Sequence, residues 1–146
     1  LSMKCFNMKL YLFFLIFTAS FSLLAQSPKG VWKTIDEKTN QPKSHVEIYE
    51  KNGKLFGKVV KLLPAAATKT CDKCPGDKKG KPLETVDIIE NLQNKDGFYQ
   101  NGTIIDPLKG EFSCSLWLSP ENKDILIVKG KHWTGLSRKQ SWYRVK

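Results

Sequence analysis

Three groups of side chains have chemical reach. Cys71-Asp72-Lys73-Cys74 sets two thiols three positions apart. That spacing suits a disulfide, a redox pair or half of a zinc site. Arg138-x-Gln140-x-Trp142-x-Arg144 puts four functional side chains on one face of an extended strand, because strand side chains alternate with period two. A guanidinium can clamp a carboxylate or phosphate through paired hydrogen bonds. Asp106, His132 and Trp133 form the third group, with Asp106 and His132 of the types an acid–base pair uses. Asp87 and Glu90 are further carboxylates.

Each chemistry competes with a structural role. A loop-stapling disulfide is the favoured use of Cys71 and Cys74, since nothing else obvious anchors their loop. A redox site would place them at a helix N-terminus to lower a thiol pKa, whereas Pro75-Gly76 follows here. Zinc needs two more ligands, and the only histidines, His45 and His132, lack finger-like spacing. No metal is expected. Cys114 sits in a strand with apolar neighbours at period two and suits a small buried hydrophobe better than a nucleophile. Asp106 is accounted for as a turn former. Trp117, Trp133, Phe98 and Tyr99 can line a cavity or fill a core. No complete nucleophile–base set, metal set or cofactor motif is found, so a non-enzymatic role is expected, without a cofactor.

The elements that must position these residues are short strands. The chain has 146 residues, which suits one folded unit. Lys9, the apolar run Leu10 to Leu24 and Ala25 have the layout of a secretory leader over 1–25, too short to span a bilayer. The expected domain is 26–146, exported to periplasm or medium, with no membrane span once the leader is cut. Losing Lys4 and Lys9 lowers the net charge from +10 to +8. That sign favours anionic partners such as lipid headgroups or acidic polymers, and export argues against nucleic acid. Beyond the leader, turn residues separate strands expected at about 30–35, 44–50, 54–63, 86–92, 98–105, 111–118, 124–130 and 136–145. Asn52-Gly53 and Asp106-Pro107-Leu108-Lys109-Gly110 are the firmest turn sequences. Periodicity vanishes from Pro64 to Pro82, a loop holding both cysteines and Lys78, Lys79 and Lys81. Eight sequential strands with mostly short links predict an all-β, eight-stranded up-and-down antiparallel barrel, with a two-sheet sandwich as alternative. In such a meander the links after strands one, three, five and seven share one end.

Gly30-x-Trp32 near the start, with Arg144 in the last strand, resembles the signature of the calycin superfamily: lipocalins, fatty-acid-binding proteins and relatives. Over nearly the whole expected domain the chain also resembles the bacterial domain-of-unknown-function family 2147. The matching residues are His45-Val46-Glu47-Ile48-Tyr49, Gly53-Lys54-Leu55-Phe56-Gly57-Lys58-Val59, the Cys71/Cys74 pair, Gly102-x-Ile104-Ile105-Asp106-Pro107 and Arg138-x-Gln140-x-Trp142-x-Arg144. The resemblance implies a small exported barrel and supplies no reaction. It also implies that Trp32 plugs one end with Arg144 packed across it, so Gly30, Trp32, Trp142 and Arg144 are expected to form a structural closure. Arg138 and Gln140 would then point inward near the other end, beside Asp106, His132, Trp133, Lys78 and Lys79. The expectation is a barrel that binds a small amphipathic or anionic molecule or lipid there. The alternative is an envelope interaction protein whose filled barrel presents a basic rim to an anionic polymer or a partner protein. For Arg138 itself, an ion pair with an acidic neighbour at the rim is the competing expectation.

Overall fold

The computed structural model describes residues 26–146; the leader expected over 1–25 lies outside the described residues. Eight strands follow in order: β1 (Gly30–Ile35), β2 (Pro42–Lys51), β3 (Lys54–Leu62), β4 (Asp87–Lys95), β5 (Phe98–Asp106), β6 (Gly110–Leu118), β7 (Ile125–Lys131) and β8 (Ser137–Arg144). Each is antiparallel to its neighbours in sequence, and β8 pairs back onto β1 through Trp32↔Arg144 and Lys33↔Tyr143. The result is one closed barrel, not a two-sheet sandwich. Closure removes the free edges that an open sheet would present to other chains.

Local sequence explains most of the path. In β2 the side chains of Ser44, Val46 and Ile48 are buried while Glu47 is exposed, the alternation expected of a wall with one wet face. Two hairpins turn on two-residue loops. Asn52 and Gly53 both take positive φ, at 52° and 74°, and Asp96 and Gly97 do the same at 53° and 86°. That pair of conformations is the type I′ turn, whose twist matches the strands it joins. Pro42, expected in the first loop, instead opens β2 and pairs with Ile35 where the register shifts. A strand's first residue is one of the few places a proline fits, because its missing N–H is not needed there.

The Pro64 to Pro82 segment, expected as a loop stapled only by its disulfide, builds a small core together with the residues that follow it up to Val86. Cys71, Cys74, Leu83 and Val86 are buried together with Ile105 of β5, and Leu62 of β3 packs against them. Two short 3-10 turns, Gly76–Lys78 and Leu83–Thr85, shape it. Lys73 N–H donates to the Pro107 carbonyl at 2.8 Å, which fastens this segment to the β5–β6 turn. The main core lies inside the barrel, around Trp32, Val46, Ile48, Ile89, Leu92, Leu116, Leu126 and Trp142.

Candidate functional site at the open end

The two ends of the barrel differ in kind. At one end Trp32 is fully buried, and its indole N–H donates to the Pro28 carbonyl at 2.8 Å. The Arg144 guanidinium lies 4.2 Å from the centre of that ring, a cation–π stack. Arg144 also donates to the carbonyls of Ser27, Lys29 and Lys123, and its Nε stands 3.2 Å from Asp124 Oδ1. Lys146 holds the other oxygen of Asp124 at 3.0 Å. The hydrogen bond from Lys146, with the positive charges of Lys146 and Arg144, keeps the Asp124 carboxyl below its ordinary value. Gly30 takes φ +129°, and a Cβ there would meet Arg144 Nη1 at 3.2 Å. A glycine is therefore required where the chain passes under the guanidinium.

The other end opens into a cavity of about 720 Å³. Its wall is apolar, with Val59, Leu62, Ile88, Ile104, Ile105, Phe112 and Val128, and Trp142 and Gln140 also line it. The buried hydroxyls of Thr34 and Ser44 satisfy each other at 2.6 Å. Among the described residues no buried side-chain polar atom lacks a partner. The interior therefore offers apolar contact, and polar recognition falls to the mouth.

All four links at that end reach the mouth. Lys38 and Lys43 come from the β1–β2 side, Ala66, Ala67 and Thr68 from the cysteine-bearing segment, Asp106 to Lys109 from the β5–β6 turn, and His132 and Leu136 from the β7–β8 turn. Arg138 and Gln140 line the same opening. Arg138 Nη1 forms an ion pair with Glu37 Oε2 at 3.0 Å. Gln140 donates to Glu37 Oε1 at 3.0 Å and accepts from the Trp142 indole at 3.3 Å. Glu37 thus gathers one face of β8 into a chain running from the inner wall to the rim.

The remaining expected residues fall in different places. Asp106 lines the cavity, but its Oδ1 accepts from the backbone N–H groups of Leu108 and Lys109, as a turn former does. His132 is half-buried at the mouth, with Nδ1 2.8 Å from Thr134 Oγ1 and its ring 5.7 Å from that of Phe112. No hydrogen bond joins it to Asp106 among the described residues. Lys78 is turned onto the outer wall, where it pairs with Glu90 and donates to the Asp87 carbonyl. Lys79 is exposed, and neither lysine lines the cavity. Trp133 is 90 % exposed and also stands off the lining. Lys38, Lys43, Lys109 and Glu37 take up the charged positions that sequence reasoning left empty. Connectivity alone would have pointed to them, since each lies in or beside an odd-numbered link.

The cysteines separate cleanly. Cys71 and Cys74 form a disulfide buried under its own segment. Cys114 is free and buried in the main core, and burial pushes its thiol up to about 12. A thiol so placed stays protonated and unreactive at neutral pH. Among the described residues, no three of His, Cys, Asp and Glu stand together as a metal set. No described helix is long and apolar enough to cross a membrane.

A closed antiparallel eight-stranded barrel with a plugged end and an open, lined mouth defines a calycin-like, lipocalin-type architecture. The fold is shared with protein HP1028 from the human pathogen Helicobacter pylori, described as belonging to the lipocalin family. The match has a TM-score of 0.66 and 16% identity, and covers 81% of this chain and 82% of that one. Residues 30–144 match the family described as uncharacterised protein conserved in bacteria (DUF2147), and the chain belongs to that family. No curated protein matches it.

Proposed function

We propose that this protein is an exported, non-enzymatic binding module holding one small amphipathic molecule, its apolar part in the barrel and its anionic head at the mouth. The observation that carries this is the pairing of an apolar cavity of about 720 Å³ with cations at its opening. The volume lies within the range of small-molecule sites, roughly 300–1,000 Å³. Lys38, Lys43, Lys109 and Arg138 can each meet an anionic head, with Arg138 exchanging Glu37 for the ligand. Asp106 and His132 would shape the opening. Trp142 and Gln140 would contact the molecule further in.

Catalysis finds little support in the side chains. Asp106 is committed to its turn, and His132 to Thr134. Export is supported by the leader pattern over 1–25 and by the Cys71–Cys74 disulfide, which persists in oxidising compartments. The test is titration of delipidated protein with a fluorescent long-chain fatty acid, beside native mass spectrometry after exposure to envelope lipid extract. Saturable one-to-one binding is expected, weakened by Arg138→Ala. Absence of any bound species in both experiments overturns the proposal.

A further inference from the structure

Apolar side chains stand in water at the same end of the barrel as the mouth. Trp133 is 90% exposed, Leu136 78% and Leu108 47%. They crown two turns, β5–β6 and β7–β8, and Leu108 and Leu136 border the cavity opening itself. Exposed apolar residues of this size, grouped around an opening, call for a partner.

The charges around them are arranged asymmetrically. Three nearby carboxylates are engaged, while Glu111 at the start of β6 is exposed and forms no ion pair among the described residues. Asp36 accepts from the backbone of Lys38 and Thr39, Asp106 from that of Leu108 and Lys109, and Glu37 is held by Arg138 and Gln140. Lys38, Lys109 and Lys131 form no ion pair among the described residues. Three large apolar tips remain, with three unpaired lysines against one unpaired carboxylate on the links and strand ends that carry or adjoin them.

We infer that this lip docks onto an anionic phospholipid surface, with Trp133 and Leu136 entering the headgroup region while the lysines meet lipid phosphates. Three side chains on two separate turns fall short of the roughly 800 Å² per partner that a stable protein interface uses. A membrane asks for less: a tryptophan at the headgroup level and nearby cations. Leu108 and Leu136 continue from the lip into the cavity, so an amphipathic molecule passes from bilayer to barrel without crossing water. That last step rests on the ligand-binding function proposed above; the docking does not.

The experiment separates the two. Full-length mature protein is sedimented with vesicles of phosphatidylglycerol and phosphatidylcholine, and with vesicles of phosphatidylcholine alone. The anionic vesicles are expected to retain it at low salt, with a blue shift in tryptophan emission. Trp133 is the expected source of that shift, because Trp32 and Trp142 are buried and the partly buried Trp117 stacks on Phe98 toward the opposite end of the barrel, so Trp133→Ser should abolish it. Trp133→Ser is expected to lower vesicle partitioning at least about tenfold, and Lys109→Gln about fivefold. Trp133→Ser is expected to bind the fluorescent fatty acid in vesicle-free solution as the parent does. Equal binding to both vesicle types, or Trp133→Ser partitioning like the parent, overturns the docking and leaves the cavity function standing. Trp133-dependent docking without fatty-acid binding removes the cavity function and keeps the lip. A concentration-dependent dimer that shields Trp133 from a quencher without vesicles assigns the lip to a second copy and overturns the inference.

Discussion

Two arginines on one face of β8 do opposite work. Arg144 stacks on Trp32, donates to three carbonyls and pairs with Asp124, with its side chain 22% exposed. Arg138, six residues earlier, has one ion-pair partner, Glu37, and its side chain is 56% exposed. The ends they serve differ in the same way. At the Arg144 end two hairpins close with two-residue turns, Asn52-Gly53 and Asp96-Gly97. At the Arg138 end the links carry most of the irregular chain, including the disulfide segment. A mostly covered charge with several partners holds structure together, and a half-solvated charge with one partner remains available to exchange it.

The comparison breaks most forcefully at Trp32. Trp32→Ala should cost about 3–5 kcal/mol in urea denaturation, because a fully buried indole leaves a void that its neighbours cannot fill. A cost below about 1 kcal/mol would show that this end does not close the barrel. The arginines give the next contrast. Arg144→Met should lose about 2–4 kcal/mol by removing the donor to three carbonyls and leaving Asp124 with Lys146 alone. Arg138→Met should change stability by no more than about 0.5 kcal/mol and weaken binding of an anionic amphiphile about tenfold. Equal stability effects would erase the distinction between the ends.

Reduction of Cys71–Cys74 comes third. A four-residue closed loop constrains the unfolded chain by about 2 kcal/mol in the chain-entropy treatment. Hydrogen exchange should speed up in residues 64–86 and at the mouth while strands at the Trp32 end stay protected. Uniform loss of protection would mean that the segment is part of the barrel's cooperative unit. The smallest effect is acid sensitivity at the closed end. The folded pKa of Asp124 lies below its ordinary 3.8, so the folded state binds that proton more weakly than the unfolded chain does. Its contribution is complete above about pH 4 and is lost as pH falls through the lower folded value. Asp124→Asn should flatten that part of the acid unfolding curve, and an unchanged curve would dismiss the ion pair as a contributor.

The strands, their order and one shared face were legible in the amino-acid sequence. Alternation marks β2 at Val46 and Ile48, turn chemistry places Asn52-Gly53, and period two puts Arg138, Gln140, Trp142 and Arg144 in line. These depend on neighbours within a few residues. The link rule also located the mouth, since it needs only strand count and direction. It did not orient Lys78 and Lys79, because an irregular loop has no period to aim a side chain. A 3-10 turn and Glu90 drew Lys78 to the outer wall instead. Nor does anything near Glu37 announce that it will hold Arg138 and Gln140, about a hundred residues away. That meeting exists only because β8 returns to β1. The cavity is the same kind of quantity, since an empty interior is what remains after every strand has contributed its inward side chains. Local chemistry dictated the wall and its two ends; closure alone decided which charges met there and how much space they enclose.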